Sequence, residues 1–288
     1  MYKIFVDSDC DITPIEAEQY GFNLISMPFI LNGDIIYPYR NERDFDFKSF
    51  YNLLRGGTIP KTTSINASEY IEYFEPYFKE GIDILYVHFS SLLSGTFNNM
   101  RIAIDELLEK YPERKFVAVD TMAISLGALN ILKSVAELYK SGATISEIKK
   151  YVEDIRQHVA SYFYAPNLKF FAQSGRISNF AAFMGGVINL KAIISINSDG
   201  EMKSIGKCRG TTPTLLKLID YMKEKEVDLK KRIIIAHSDD LETAKMLEGL
   251  VKKTFGDNLK IEFVYVNPTA GCHCGPDNVG ISFFARER

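Results

Sequence analysis

The sequence predicts a two-part α/β protein: a parallel sheet covered by helices in the N-terminal part, and an α+β arrangement with a mostly antiparallel sheet in the C-terminal part. In the first half, short apolar runs alternate with amphipathic stretches, and this β-α-β-α order is typical of a parallel sheet. In the second half, two apolar runs flank Asn197-Ser198-Asp199-Gly200, a hairpin signal. We place the boundary near Ser161, giving residues 1–160 and 161–288.

The elements follow from hydrophobic periodicity and turn residues. Strands are predicted at Ile4–Val6, Asp83–His88, Lys115–Val119, Asn189–Ile196, Glu201–Cys208, Ile233–His237 and Lys260–Val266, with a hairpin of Met27–Leu31 and Ile35–Tyr37 and a polar loop at Thr58–Ser64. Helices are predicted at Pro14–Tyr20, Asp46–Leu54, Glu69–Phe78 (N-capped by Ser68), Thr96–Lys110, Ile124–Lys140, Ile145–His158, Thr212–Lys225 and Leu241–Phe255. The loops after Val6, Phe89 and Val119 should share the carboxyl edge of the first sheet, where such folds bind ligands.

Length, composition and net charge exclude some classes of protein. The chain has 288 residues, 46% hydrophobic and 25% charged, with a net charge of −3. That charge gives no sign of a nucleic-acid-binding surface. No apolar run reaches the ~18 residues of a membrane span. The N-terminal Met1–Asp7 resembles a buried strand more than a signal peptide, so we expect a cytoplasmic protein.

Two polar motifs, far apart in the chain, indicate an anion site. Ser90–Thr96 follows an apolar strand and opens a helix, so hydroxyls, backbone N–H groups and a helix dipole would face one ligand. Gly271–Pro276 places His273 in a turn bounded by glycine and proline, which we expect to hold the imidazole without a helix. Together they suit a carboxylate or a phosphate.

Each motif has a plainer interpretation. Ser94 and Thr96 could simply cap the helix. Ser94 could instead be a nucleophile paired with His273, although the G-x-S-x-G elbow is absent. Cys272 and Cys274 flank His273, but this spacing does not match a structural zinc site, and no metal is expected.

Two further polar segments have both a structural and a functional interpretation. Asp7-Ser8-Asp9-Cys10-Asp11 could hold Mg²⁺, but we favour a polar strand-to-helix turn in which Asp11 complements a helix dipole. The phosphate-binding glycine motifs of nucleotide sites are absent. Lys207–Thr211 is either solvated surface or a docking site for an acidic or phosphorylated partner.

An apolar segment from Phe170 to Ile188 mixes phenylalanine, methionine, alanine and glycine. It is either a buried helix pair or the wall of a narrow ligand tunnel. For the tunnel, the expected lining residues are Phe170, Ile177, Phe180, Phe183, Met184 and Ile188.

Taken together, the motifs resemble those of the DegV family of bacterial fatty-acid-binding proteins over nearly the whole chain. The matching segments are Val6-Asp7-Ser8, Pro60–Ser64, Ser90–Phe97, Val119-Asp120-Thr121, Ser174–Ile177 and His273–Pro276. Departures from the family pattern are Ile65-Asn66, Ser174 and Asp277.

The resemblance implies a long-chain fatty acid buried between the two domains, with the second domain enclosing the lipid and no other cofactor. Its carboxylate would be bound by Thr63, Ser94, Gly95, Thr96 and His273. Some relatives serve a fatty-acid kinase, which implies a carrier without catalytic chemistry of its own, docked through Arg209 and Lys207. Transient membrane contact during lipid exchange is compatible with this role. The alternative is a serine-dependent lipid or thioester hydrolase using Ser94 and His273.

Overall fold

The structure is a computed structural model of the protein. It describes residues 1–40, 42–178 and 190–288. Its strands are β1 (Tyr2–Asp7), β2 (Phe22–Ile25), β3 (Phe29–Leu31), β4 (Asp34–Ile36), β5 (Lys61–Thr62), β6 (Asp83–His88), β7 (Phe116–Asp120), β8 (Val159–Ala165), β9 (Ile177–Ser178), β10 (Leu190–Ile196), β11 (Met202–Arg209), β12 (Ile233–His237), β13 (Ile261–Tyr265) and β14 (Val279–Phe284).

The helices pack on and between the sheets. They are α1 (Pro14–Tyr20), α2 (Phe47–Arg55), α3 (Ala67–Lys79), α4 (Thr96–Lys110), α5 (Leu126–Lys140), α6 (Ile145–Ile155), α7 (Lys169–Ser174), α8 (Thr211–Glu224), α9 (Leu241–Phe255) and α10 (Pro268–Cys274). Short 3-10 helices lie at Ser8–Cys10, Ser91–Leu93 and Arg156–His158.

The first sheet has the order β2-β1-β6-β7 and is parallel throughout its described strands, as predicted. Its two central strands, β1 and β6, are almost entirely buried, the pattern expected of a parallel sheet. At the carboxyl edge, β1 ends at Asp7, and His88 of β6 pairs with Asp120 of β7. The loops that follow these strands therefore start side by side.

The second sheet has the order β13-β12-β14-β8-β10-β11-β9. Its outer pairs, β12 with β13 and β9 with β11, are parallel, and the pairs between them are antiparallel. The predicted mostly antiparallel C-terminal sheet is confirmed. Its strand β8 begins at Val159, close to the domain boundary predicted near Ser161; the division of the chain there stays a prediction.

A small third sheet, β4-β3-β5, adds a feature that the sequence did not predict. The expected hairpin forms β3 and β4. The segment interpreted as a polar loop contains β5, which pairs antiparallel with β3, so that Thr62 lies opposite Phe29. This pairing fixes the start of the Thr62-Thr63-Ser64 segment.

Several predicted elements have the observed bounds, and several others, including α2 and α8, differ at their ends by one to three residues. The predicted Ser68 cap was wrong: α3 begins at Ala67, and the side chain of Asn66 accepts a hydrogen bond from the N–H of Glu69 in a capping box. The Asn66–Glu69 spacing is the one that this reciprocal cap requires. The helix predicted to reach His158 ends at Ile155 and continues as a 3-10 turn. The helix expected from Ile124 begins at Leu126.

Helix α5 connects the two halves of the fold, because it packs against β8, β12 and β14 of the second sheet and also against α6 and the turn after β1. Its Gly127 lies so close to β8 that an added Cβ would be 2.3 Å from the Ser161 hydroxyl. The buried Asn130 side chain donates to the Ser282 hydroxyl at 3.3 Å and accepts from Arg232 Nε at 3.0 Å. The space beside the N-terminus of α5 becomes part of the site.

Candidate functional site

A polar cavity opens at the carboxyl edge of the first sheet. Its empty volume, including the part open to solvent, is about 560 Å³. Its lining residues come from both halves of the chain: Asp9, Met27, Thr62, Thr63, Ser64, Phe89, Leu93, Ser94, Thr96, Ile124, Arg176, Met202, Thr269, Ala270 and His273. The structure thus brings together four of the five residues predicted to bind a carboxylate.

The Thr62-Thr63-Ser64 segment forms one wall. It is anchored by β5 at its start and by Asn99, whose Nδ2 donates to the Ile65 carbonyl at 2.7 Å. Thr63 is half-buried at the cavity. Its neighbour Thr62, which was not predicted, contacts His273: Thr62 Oγ1 lies 3.2 Å from His273 Nε2.

A second wall is the start of α4. Ser94 Oγ accepts a hydrogen bond from the Thr96 N–H at 3.2 Å, so Ser94 satisfies one N–H of the first turn although it precedes the N-cap position. The Thr96 hydroxyl is buried and lies 3.0 Å from the Tyr70 hydroxyl. Gly95 is the N-cap residue and is exposed. Of these residues, Ser94 retains a half-exposed hydroxyl that faces the cavity.

His273 lies in a helix, contrary to the expectation of a turn. It occupies the last turn of α10, which is N-capped by Asn267. Asp11 fixes this helix: its Oδ1 accepts from the Asn267 backbone N–H at 2.8 Å and from Nδ2 at 2.7 Å. Gly271 allows α10 to approach α2, since an added Cβ would lie 2.7 Å from the Tyr51 hydroxyl oxygen. The position of His273 therefore depends on contacts distant in sequence.

The imidazole of His273 is neutral near pH 7. Burial and, secondarily, the positive charge of Arg176 lower the pKa of His273 to about 4. A neutral imidazole has one ring nitrogen that donates and one that accepts. His273 can therefore hydrogen-bond a ligand without adding a positive charge to the cavity.

Arg176 supplies the positive charge of the site, a role that the sequence did not predict for it. The guanidinium lies beside the loop before Ser94, with Nε donating to the Leu93 carbonyl at 3.2 Å and Nη1 to the Ser174 carbonyl at 2.6 Å. Among the described residues that line the cavity, Arg176 alone carries a positive charge at neutral pH, because the imidazole of His273 is then neutral. The guanidinium would attract an anion into the cavity.

The acidic segment after β1 forms the expected turn between β1 and α1, as a 3-10 helix, but its carboxyl groups are buried. Asp7 Oδ2 accepts from the Phe89 N–H at 3.1 Å and from the Tyr86 hydroxyl at 3.2 Å. Burial raises the pKa of Asp7 and of Asp11 to about 7, and their hydrogen bonds only partly oppose this shift. Both carboxyl groups tie the edge of the first sheet to neighbouring segments.

An apolar cavity adjoins the polar one and lies between α5, α10 and the second sheet. Its empty volume, including its opening, is about 530 Å³. Its lining comprises Ile124, Ser125, Leu126, Ser161, Phe163, Phe171, Ile196, Met202, Ala236, Val266, Ala270, His273, Cys274, Asn278 and Gly280. The two cavities share Ile124, Met202, Ala270 and His273. A molecule with a polar head and an apolar tail could occupy both.

The residues predicted to line an acyl chain have several placements. Phe170 is buried in an aromatic cluster with Phe29, Phe50 and Tyr51, whereas its neighbour Phe171 lines the apolar cavity. Ile177 is buried in β9. The remaining four, Phe180, Phe183, Met184 and Ile188, lie outside the described residues. Phe171 had no periodicity signal that set it apart from Phe170.

The basic pair predicted for docking lies on β11, outside both cavities. Lys207 and Arg209 are exposed at alternate positions of this strand, so they share a face of the sheet. Within the described residues, no group of three or more acidic, histidine or cysteine side chains is arranged to hold a metal ion. No helix in this part of the chain is long and apolar enough to cross a membrane.

Comparison with known proteins decides the family. The family model described as "uncharacterised protein, DegV family" matches residues 1–286. The chain belongs to the DegV family. A DegV domain-containing protein of Clostridium perfringens is 34% identical over 284 residues, which are 98% of this chain and 97% of that protein.

Solved structures of DegV proteins share the fold. A DegV lipid-binding protein of Thermotoga maritima matches with a TM-score of 0.85 at 24% identity, covering 100% of both chains. The fatty acid kinase (Fak) B3 protein of Streptococcus pneumoniae, loaded with linoleic acid, matches with a TM-score of 0.83 at 17% identity, covering 99% of both. These likenesses confirm the predicted fold class.

Proposed function

We propose that this DegV-family protein binds a long-chain fatty acid, with its carboxylate in the polar cavity and its hydrocarbon chain in the apolar cavity. The observation that carries the proposal is the junction of the two cavities at His273 and Ala270. A carboxylate that leaves water needs several hydrogen-bond donors, because burial of an unpaired charge is costly. The hydroxyls of Thr63 and Ser94, the imidazole and the Arg176 guanidinium can supply them.

The hydrocarbon chain of the fatty acid contributes more to the gross free energy of binding than its carboxylate does. Each methylene transferred from water contributes up to ~0.8 kcal/mol, and part of this is lost in ordering the chain. The described lining of the apolar cavity consists mainly of aliphatic and aromatic side chains, with few polar groups. Structural neighbours support this class of ligand: DegV proteins from Eubacterium eligens and Ruminococcus gnavus were solved with heptadecanoic and vaccenic acid.

We further propose that the protein presents the bound carboxyl group to a fatty-acid kinase and performs no chemistry itself. The Fak B3 neighbour supports a kinase as partner. The exposed Lys207 and Arg209 form a basic surface that suits an acidic or phosphorylated partner. This role would place the protein in the cytoplasm, with transient membrane contact during lipid exchange.

The geometry does not favour the alternative hydrolase. A serine nucleophile needs a hydrogen bond to its base and a third group that orients the base. In the described part of the chain, Ser94 Oγ is bonded to the Thr96 N–H and His273 Nε2 contacts Thr62. Incubation with an acyl ester distinguishes the two functions, because a carrier leaves the ester intact and a hydrolase releases the acid.

Native mass spectrometry with lipid extraction tests the proposed ligand. We expect the purified protein to carry one fatty acid of roughly fourteen to eighteen carbons, a range taken from the family resemblance and a tunnel-like site. The variant Ala270→Phe should block the junction and abolish retention, since Ala270 lines both cavities. The matched control is Ala172→Phe, at an exposed position beside Phe171. The proposal fails if no lipid is found and none is taken up from fatty-acid-loaded medium.

A further inference from the structure

Asp9 is a buried carboxyl group that lines the polar cavity, and one of its oxygens has no hydrogen-bond partner among the described residues. It lies in the 3-10 turn after β1 and is 6% exposed. No described residue provides a hydrogen-bond partner for its Oδ1 atom. It lines the same cavity as Thr63, Ser94 and His273. A buried polar atom without a partner is costly, so a carboxyl group placed in this way at the cavity is suited to contact a bound ligand.

The carboxyl groups on either side differ from Asp9 because their oxygens are used within the protein. Asp7 accepts from the Phe89 N–H and the Tyr86 hydroxyl. Asp11 accepts from Asn267 and from the Ser125 hydroxyl. Asp9 lies beside Thr269, which favours the charged form of the carboxyl group, but no described residue provides a partner for its Oδ1 atom. Asp9 therefore has a position suited to ligand contact, whereas its neighbours maintain the fold.

The surroundings of Asp9 favour its neutral form. Burial, followed by the charges of Asp7 and Asp11, raises the pKa of Asp9 well above its usual value. The other ionisable groups around Asp9 are Cys10 in the same turn, Tyr70 of α3, Cys272 and His273 of α10, and Arg176 after α7. Burial raises the pKa of both thiols and of the tyrosine and lowers that of the imidazole, so these four are neutral near pH 7.

We infer that Asp9 binds the ligand head directly: as a neutral carboxylic acid, it donates a hydrogen bond to the fatty-acid carboxylate, and the two groups share one proton. This inference rests on the proposed function. It balances the charge of the site, since one carboxylate then faces the single positive charge of Arg176. With both carboxyl groups ionised, two like charges would lie together in a buried cavity, which is strongly unfavourable.

The shared proton makes binding depend on pH in a defined direction. A free fatty acid has an ionised carboxylate above about pH 6, because a carboxyl pKa lies near 4 to 5 in water. The ionised ligand binds to the protein form in which Asp9 is protonated. Affinity is therefore constant below the pKa of Asp9 in the free protein. Above that pKa, the dissociation constant rises about tenfold for each pH unit, until Asp9 also ionises in the complex.

Titration of binding against pH tests the inference. The dissociation constant of a fluorescent fatty acid, cis-parinaric acid, is measured from pH 6 to 9 for the parent and for Asp9→Asn, which keeps a hydrogen-bond donor but cannot ionise. We expect a steep pH-dependent loss of affinity in the parent and a much weaker one in Asp9→Asn, in which Asp7 and Asp11, with pKa values raised to about 7, still ionise. The matched control is Asp105→Asn, an exposed carboxylate on α4, which should retain the parent slope.

A second comparison uses only the parent, so it does not depend on the folding of a variant. The alcohol corresponding to cis-parinaric acid has no charge to repel an ionised Asp9, so its affinity should not fall in the same way. A flat parent profile with the acid would overturn the inference, as would a slope in Asp9→Asn or with the alcohol equal to that of the parent with the acid. Those outcomes leave the proposed function intact, whereas failure to bind the acid at any pH would contradict both.

Discussion

Replacing Ser94 with alanine separates ligand binding from helix capping. In the proposed complex the Ser94 hydroxyl donates to the fatty-acid carboxylate while its oxygen accepts from the Thr96 N–H at 3.2 Å. Loss of one hydrogen bond to a charged group costs about 1.5–3 kcal/mol. That range corresponds to a dissociation constant raised about 10- to 150-fold. Loss of the bond to the Thr96 N–H should also lower the free energy of unfolding, by about 0.5–1.5 kcal/mol.

Ser91→Ala is the matched control for this experiment. Ser91 lies in the same loop, but it is exposed, and its hydroxyl donates to Asp120 Oδ2 at 2.6 Å outside the cavity. We expect it to leave fatty-acid affinity unchanged. Affinity is measured by displacement of a fluorescent fatty acid, and stability by urea unfolding of the lipid-free protein. Equal affinities for Ser94→Ala and the parent, together with reduced stability, would show that Ser94 serves only as a helix cap.

The remaining predictions concern docking, backbone geometry and pH. Arg209→Ala should leave fatty-acid affinity unchanged but slow acyl-phosphate formation by a cognate kinase at subsaturating protein; equal rates would refute docking there. Gly275→Ala should lower the midpoint of urea unfolding, because the φ angle of Gly275 is +76° and an added Cβ would lie 2.4 Å from a phenylalanine ring. Its control is Gly249→Ala inside α9, where an added Cβ meets open space. This substitution should raise the free energy of unfolding by about 0.5–1 kcal/mol. The pKa values of Asp7 and Asp11, raised to about 7, predict that the lipid-free protein loses stability as pH rises from about 4 through 7, measured by unfolding at each pH; a rise in stability over that interval would contradict them.

Regular elements were predictable because their signal is local. The helix Thr96–Lys110 and the strand Asp83–His88 have the predicted bounds, since apolar periodicity and flanking turn residues define them. The two-residue strand β5 was missed, because it depends on pairing with β3 and has no periodicity of its own. The same reason explains the helical position of His273, which is fixed by contacts of Asn267 with Asp11.

In the polar part of the site, only the residues that belong to recognisable sequence motifs could be predicted. Thr63, Ser94 and His273 line one cavity, as the resemblance implied. Arg176 and Asp9 were not assigned to it, because a lone arginine and an acidic turn are usually solvated. Their burial or orientation depends on tertiary packing, which brings the segment after α7 and the turn after β1 to the same edge. Tertiary packing also determines why the adjacent side chains of Phe170 and Phe171 have different environments.

The most direct test of the two-cavity account is a crystal structure with a fatty acid that carries bromine near its methyl end. Anomalous scattering then locates the end of the chain independently of the carboxylate. The account predicts the bromine in the apolar cavity near Leu126, Phe171 and Gly280, and the carboxylate beside Ser94 and His273. A bromine outside that cavity, or a carboxylate away from these two residues, would contradict it.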